Sequence, residues 1–238
     1  MFDPLYLLIL VVSLVLSGIV SAMVSSRFKA GQKIQIQSGL TGAEVAAAIL
    51  ADAGIFDVRI RETHGFLSDF YNPLDKTLNL SRNVYHGRNA SAAGVAAHET
   101  GHAIQHAKNY FPMWLRSAIV PAANLGSTVG PWLIIIGIIL GAAQGIGFGR
   151  ELALFGVILF GCATLFTLVT VPVEFNASSR AKERLQHLQI VQSGDEYNTV
   201  SGVLFAAGLT YVAAAITSVM QLLYWALRAG LLGGRRDD

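Results

Sequence analysis

Only one cysteine, Cys162, occurs among the 238 residues, and it stands in an apolar run. Neither an intrachain disulfide nor a cysteine-rich metal site is therefore open to the chain. Charge is equally scarce. Asp, Glu, Lys and Arg make up 13% of the residues, where an ordinary soluble protein carries about 25%. The formal net charge of +2 is small and the basic residues are scattered along the chain, which excludes nucleic acid as a partner. The glycine-rich piece at 141–149 lacks the Gly-Lys-Ser/Thr ending of a phosphate-binding loop and reads as a flexible turn. No internal repeat of solenoid length is present.

What the chain has in abundance is apolar surface, with 53% hydrophobic residues, and a membrane class follows. Residues 5–24 form a run without charge, about twenty residues long and so sufficient to cross a hydrocarbon core. No Lys or Arg precedes it, whereas Arg27, Lys29 and Lys33 follow, so it reads as an uncleaved anchor and not as a signal peptide. Residues 118–143 and 152–173 form a membrane hairpin linked through Arg150 and Glu151, with Pro121 and Pro131 set to kink its first arm. A fourth run covers 203–227. The division expected is an anchor at 1–24, a polar domain at 25–116, the hairpin at 117–173, a connection at 174–202, the fourth span at 203–227 and a polar tail at 228–238. Four crossings put 25–116 and 174–202 on one side. That side carries Arg27, Lys29, Lys33, Lys108, Arg116, Arg180, Lys182 and Arg184, against Arg150, Arg228, Arg235 and Arg236 opposite, a bias that favours the cytoplasm.

Within the polar domain, Thr41-Gly42-Ala43-Glu44 reads as a capping box opening a short amphipathic helix that Gly54 stops. Val58-Arg59-Ile60-Arg61 and Thr77-Leu78-Asn79-Leu80-Ser81 alternate in polarity, with Gly65, Asn72 and Pro73 between them, and predict an antiparallel pair. Were the second strand a sheet edge, it would offer free amides and carbonyls to an extended peptide; a structural hairpin is the plainer expectation.

The chemistry is concentrated in His98-Glu99-Thr100-Gly101-His102. On a helix, side chains four apart lie one turn above each other, so His98 and His102 can aim both imidazoles at one metal ion. Glu99 then stands beside the open coordination position, suited to take a proton from a bound water and pass it to a leaving amine. Asn89 or Ser91 is placed to cap this helix, and Pro112 limits its continuation. Gly94 and Gly101 weaken it unless close packing requires them. His106, one further step along, is carried past the ion and reads as a residue that packs beside the site or supports its ligands, not as a ligand. Arg88 and Lys108 bracket the segment, which makes it a poor candidate for a span. A catalytic zinc site needs a third protein ligand. Glu174, at the mouth of the third span and on the same side, fits that vacancy better than Glu183, Asp195 or Glu196, which lie farther into a polar stretch.

Four stretches together resemble the YugP-type membrane zinc metallopeptidases, compact relatives of the HtpX and CAAX prenyl proteases. They are Leu67-Ser68-Asp69-Phe70-Tyr71-Asn72-Pro73, the run from Gly94 through His106, Pro172-Val173-Glu174-Phe175-Asn176-Ala177-Ser178, and Leu209-Thr210-Tyr211-Val212-Ala213-Ala214-Ala215. The resemblance implies a gluzincin-like site, with His98, His102 and Glu174 on Zn2+ and Glu99 as general base. Asn176 and Asn72 stand where Asp is expected, and Phe70 where His is expected, so a charged supporting role at Asn176 is lost. A second oxyanion donor is sought among His64, His86, Tyr71 and Tyr85, between which spacing does not choose.

The expected protein is thus a mainly α membrane protein, with four transmembrane helices and a small α+β zincin-like cytoplasmic domain between helices 1 and 2. Its partners are the lipid bilayer and a peptide or protein substrate. It is expected in a bacterial inner (plasma) membrane, as a membrane-bound zinc endopeptidase acting on membrane-associated or unfolded proteins. An intramembrane zinc protease would need the ligand helix inside an uncharged run. A non-catalytic zinc-binding scaffold would need four protein ligands, usually with cysteine.

Overall fold

A computed structural model describes residues 3–65, 68–142 and 147–232. Leu67, the inner part of the 141–149 piece, and Arg235 and Arg236 of the tail lie outside the described residues.

Among the described residues, four helical stretches are long and apolar enough to cross a membrane. They are α1 (Pro4–Gly31), the pair α5 (Phe111–Thr128) and α6 (Gly130–Ile139), α7 (Gly147–His187) and α8 (Asp195–Arg228). The break between α5 and α6 falls where Pro131, at the start of α6, lacks an N–H to continue the ladder. Between α1 and α5 lie α2 (Gly42–Asp52), β1 (Arg59–Thr63), β2 (Phe70–Asn72), β3 (Thr77–Ser81), α3 (Arg82–Tyr85) and α4 (Ala90–Ala107).

The chain forms two compact units. One comprises Met1–Ser17, Leu115–Val171 and Tyr211–Asp238. There α5 and α7 approach so closely that a Cβ on Gly126 would collide with the carbonyl oxygen of Leu159, the small-residue packing expected where apolar helices meet. Asp3 accepts from the Tyr224 hydroxyl at 3.1 Å and pairs with Arg228 at 3.2 Å.

The other unit comprises Gly18–Trp114 and Pro172–Thr210. Its core joins Phe28, Val45, Ile49, Leu78, Leu80, Val84, Ile104, Val173, Leu185 and Val200. The Thr41 to Glu44 capping box forms as the sequence indicates. The sheet departs from expectation. Its order is β1-β3-β2, with β1 and β3 parallel and β2 antiparallel to β3. The residues 70–72, which sit among turn formers, make the extra strand. It pairs with β3 through a turn in which Asn72 Oδ1 accepts from Leu74 N at 3.0 Å. β2 takes the antiparallel place beside β3, and β1 lies on the other side of β3, parallel to it, which requires a crossover connection. Residues 77–81 are consequently the central strand, not an edge, and the edge strand beside α4 is β2.

Candidate metal centre

α4 is capped by Asn89, whose side chain accepts from Ala92 N at 3.0 Å and satisfies one of the free amides at the helix start. Ser91 does different work, donating to Phe28 O at 2.8 Å. The helix ends at Ala107, and Asn109 takes a positive φ of 50° before α5. Residues 98, 101, 102 and 105 share the face turned to the Pro172–His187 part of α7. Gly101 permits that approach, because a Cβ there would lie 2.6 Å from the Ala177 carbonyl oxygen.

This contact brings Glu174 against the two imidazoles. Its Oε2 lies 3.1 Å from His98 Nε2 and 3.4 Å from His102 Nε2. One ligand atom from each of the three residues lies within 4.8 Å of the others, so the group could hold a metal ion. Two ligands on a tetrahedral zinc, each bonded at about 2.0–2.1 Å, stand about 3.3 Å apart. The observed separations fit that value. Glu174 is 1% exposed and His102 7%, and a carboxylate so deeply buried needs cationic partners. Burial works against a protonated His102, but Glu174 and Glu99 outweigh it and hold its pKa above the ordinary value.

The remaining ring nitrogens are also engaged, which leaves each Nε2 facing Glu174 and fixes the ring orientation. His98 Nδ1 lies 3.1 Å from Ser178 Oγ, and His102 Nδ1 lies 2.9 Å from Gln105 Oε1. Gln105, fully buried, donates its Nε2 to Val173 O at 2.8 Å and to Asn176 Oδ1 at 3.0 Å. Asn176 Oδ1 also accepts from Arg180 Nε at 2.8 Å. Asn176 therefore supports the centre as a neutral acceptor. Gln105 and Ser178 are the supporting residues that sequence reasoning did not single out.

Glu99, 8% exposed, accepts from Tyr71 N of β2 at 3.1 Å. Of the four residues considered as oxyanion donors, Tyr71 is the one whose backbone reaches Glu99. Its hydroxyl is paired with His106 Nδ1 at 2.8 Å, and burial, helped by Asp57 and Asp75, pushes the phenol up to about 12. His86 is exposed and lies 3.1 Å from Glu62, while His64 is exposed and its carbonyl accepts from Ser68. Asp69 accepts from Ser81 N at 2.7 Å and Ser81 Oγ at 3.1 Å. Burial pushes its carboxyl above the usual 3.8, the Ser81 bonds pull the other way, and the charge of Glu99 adds to the rise. The rival acids are elsewhere. Glu183 and Asp195 are exposed, and Glu196 accepts from Gln37 N at 3.0 Å and Gln192 N at 2.9 Å.

A family model described as "Putative neutral zinc metallopeptidase" matches residues 6–230. The "Putative membrane protease YugP" of Bacillus subtilis (strain 168) is 42% identical over 234 residues, which are 98% of this chain and 100% of that protein. No solved structure matches the chain.

Proposed function

Because the chain belongs to the family described as "Putative neutral zinc metallopeptidase", we propose that it is a membrane-bound, zinc-dependent endopeptidase of gluzincin type. It hydrolyses peptide bonds of membrane-associated or unfolded proteins. The observation that carries this reading is the convergence of His98 Nε2, His102 Nε2 and Glu174 Oε2 beside the Glu99 carboxylate. Two imidazoles and a carboxylate without sulfur are the ligand set of catalytic zinc, which keeps one position open. Among the described residues the group numbers three, whereas a structural zinc is closed by four.

His98, His102 and Glu174 hold the ion, and Ser178 and Gln105 fix the rings. Zinc bound there would polarise the scissile carbonyl and lower the pKa of a bound water to about 7. Glu99 takes a proton from the attacking water and delivers it to the leaving amine. The Tyr71 amide holds the Glu99 carboxylate in place for both transfers. The excess of Lys and Arg flanking this segment supports a cytoplasmic site on the plasma membrane.

Glu99→Gln tests the assignment. Turnover of an unfolded protein substrate should fall by about 10²–10⁴-fold, the usual contribution of a general base, with one zinc per chain retained. A variant that cleaves as fast as wild type would remove Glu99 from the mechanism.

A further inference from the structure

A cavity of about 490 Å³ lies wholly within the unit made of Met1–Ser17, Leu115–Val171 and Tyr211–Asp238. Its volume falls in the range of about 300–1,000 Å³ typical of ligand sites. Every apolar helix long enough to span a membrane supplies it with a polar side chain from its uncharged interior. α1 contributes Ser17, α5 Asn124 and Ser127, α7 Thr167, and α8 Thr217 and Gln221. Among the described residues, no Asp, Glu, Lys, Arg or His lines it.

Polar groups inside a bilayer are costly and normally find partners across or along the helices. Several in this unit do. Thr164 Oγ1 and Ser218 Oγ meet at 2.9 Å between α7 and α8, and Thr167 donates back to Thr164 O at 2.7 Å. Thr217 Oγ1 is buried with no hydrogen-bond partner. The side chains of Ser17 and Asn124, exposed at the cavity mouth, and of Gln221, half-buried, make no hydrogen bond among the described residues. Ser218 also lines the cavity but is tied to Thr164, whereas these four line it with hydrogen-bonding capacity to spare.

The occupant must itself reside in the hydrocarbon layer, be uncharged, and both donate and accept hydrogen bonds, since the Asn124 and Gln221 amides offer both. Lipid acyl chains have no such groups, and charged headgroups would lie unpaired against a neutral wall. A membrane-embedded peptide segment carrying a neutral amide or hydroxyl side chain meets all three conditions. We propose that this cavity docks such a segment, which names the substrate class of the peptidase reading on which it rests: proteins with an apolar span interrupted by Asn, Gln, Ser or Thr.

The test is disulfide cross-linking in lipid bilayers, in full-length protein carrying Glu99→Gln and Cys162→Ser. The Ser127→Cys thiol probes the cavity, and Ile158→Cys on α7, an exposed position that does not line it, is the control. The probe is a synthetic apolar span with one central Asn beside a cysteine, compared with the same span carrying Leu for Asn. Adduct at Ser127→Cys should exceed that at Ile158→Cys, and the Asn span should be favoured over the Leu span by about three- to thirtyfold, the worth of one interhelical hydrogen bond. Adding Asn124→Leu or Thr217→Val should lower the preference. Equal adduct at both thiols, equal yield from both spans, or reaction of Ser127→Cys with a small water-soluble thiol reagent but not with the peptide would overturn the proposal. Turnover plays no part in this readout, so loss of the adduct tells against the cavity and loss of hydrolysis against the peptidase.

Discussion

Gly101 of α4 faces the backbone carbonyl of Ala177 in α7 so closely that a methyl group at Gly101 would sit 2.6 Å from the oxygen. That separation is below any ordinary contact, and the partner is backbone that cannot swing aside. The same approach sets the 3.1 Å between Glu174 and His98. A residue without a side chain thus determines whether the Glu174 carboxylate can reach the two imidazoles.

Gly101→Ala should therefore weaken the protein although Ala is the better helix former by about 1 kcal/mol. Overpacking costs about 1–3 kcal/mol, and displacement of α7 should also reduce zinc affinity. Gly94→Ala is the comparison, since its Cβ would meet the movable Val200 Cγ1 at 3.2 Å. Thermal unfolding with and without added zinc should separate the two, with the larger loss and the loss of zinc response confined to Gly101→Ala.

Gln105 holds His102 by its Oε1 and α7 by its Nε2. Gln105→Leu keeps much of the buried volume and removes both links. Zinc affinity should drop by about 10–100-fold, the usual effect of losing a partner that orients a ligand. Competition against a chelator measures it, and an unchanged affinity would show that His102 is oriented by packing alone.

Asp69 gives a pH signature. Its folded pKa lies above the usual 3.8, chiefly through burial, so folding favours the neutral carboxyl. The stability this confers is present below the unfolded value and is lost as pH rises through the folded one. Asp69→Asn cannot ionise and still offers an acceptor to Ser81 N. Its stability relative to wild type should increase as pH is raised from about 4 to about 7, read from denaturant unfolding at each pH. A difference independent of pH would contradict the burial argument. Asp69→Ala, which abandons the Ser81 N–H, should be less stable than Asp69→Asn throughout by about 1–3 kcal/mol.

How much of this was legible in the chain depends on distance along it. His98, Glu99, His102 and the Asn89 cap are local, because the helix repeat alone puts them on their faces. Glu174 was reachable because the membrane restricts which polar segments share a side. Gln105 was not, since a glutamine near a histidine has no distinguishing pattern until α7 is laid against it. The sheet failed for a similar reason. Phe70 to Asn72 is too short to show alternation among turn formers, and parallel pairing of β1 with β3 is decided by a crossover that neither strand encodes. The mid-helix polar residues of the cavity were visible individually, but their convergence was not.

The metal centre itself is read by zinc K-edge absorption on the purified full-length protein, with metal analysis of Glu174→Ala alongside. One zinc per chain is expected, with nitrogen and oxygen neighbours at about 2.0–2.1 Å and no sulfur, and tightly bound metal should be lost in Glu174→Ala. Zinc held as tightly without the Glu174 carboxylate, or a sulfur neighbour at about 2.3 Å, would contradict this ligand set.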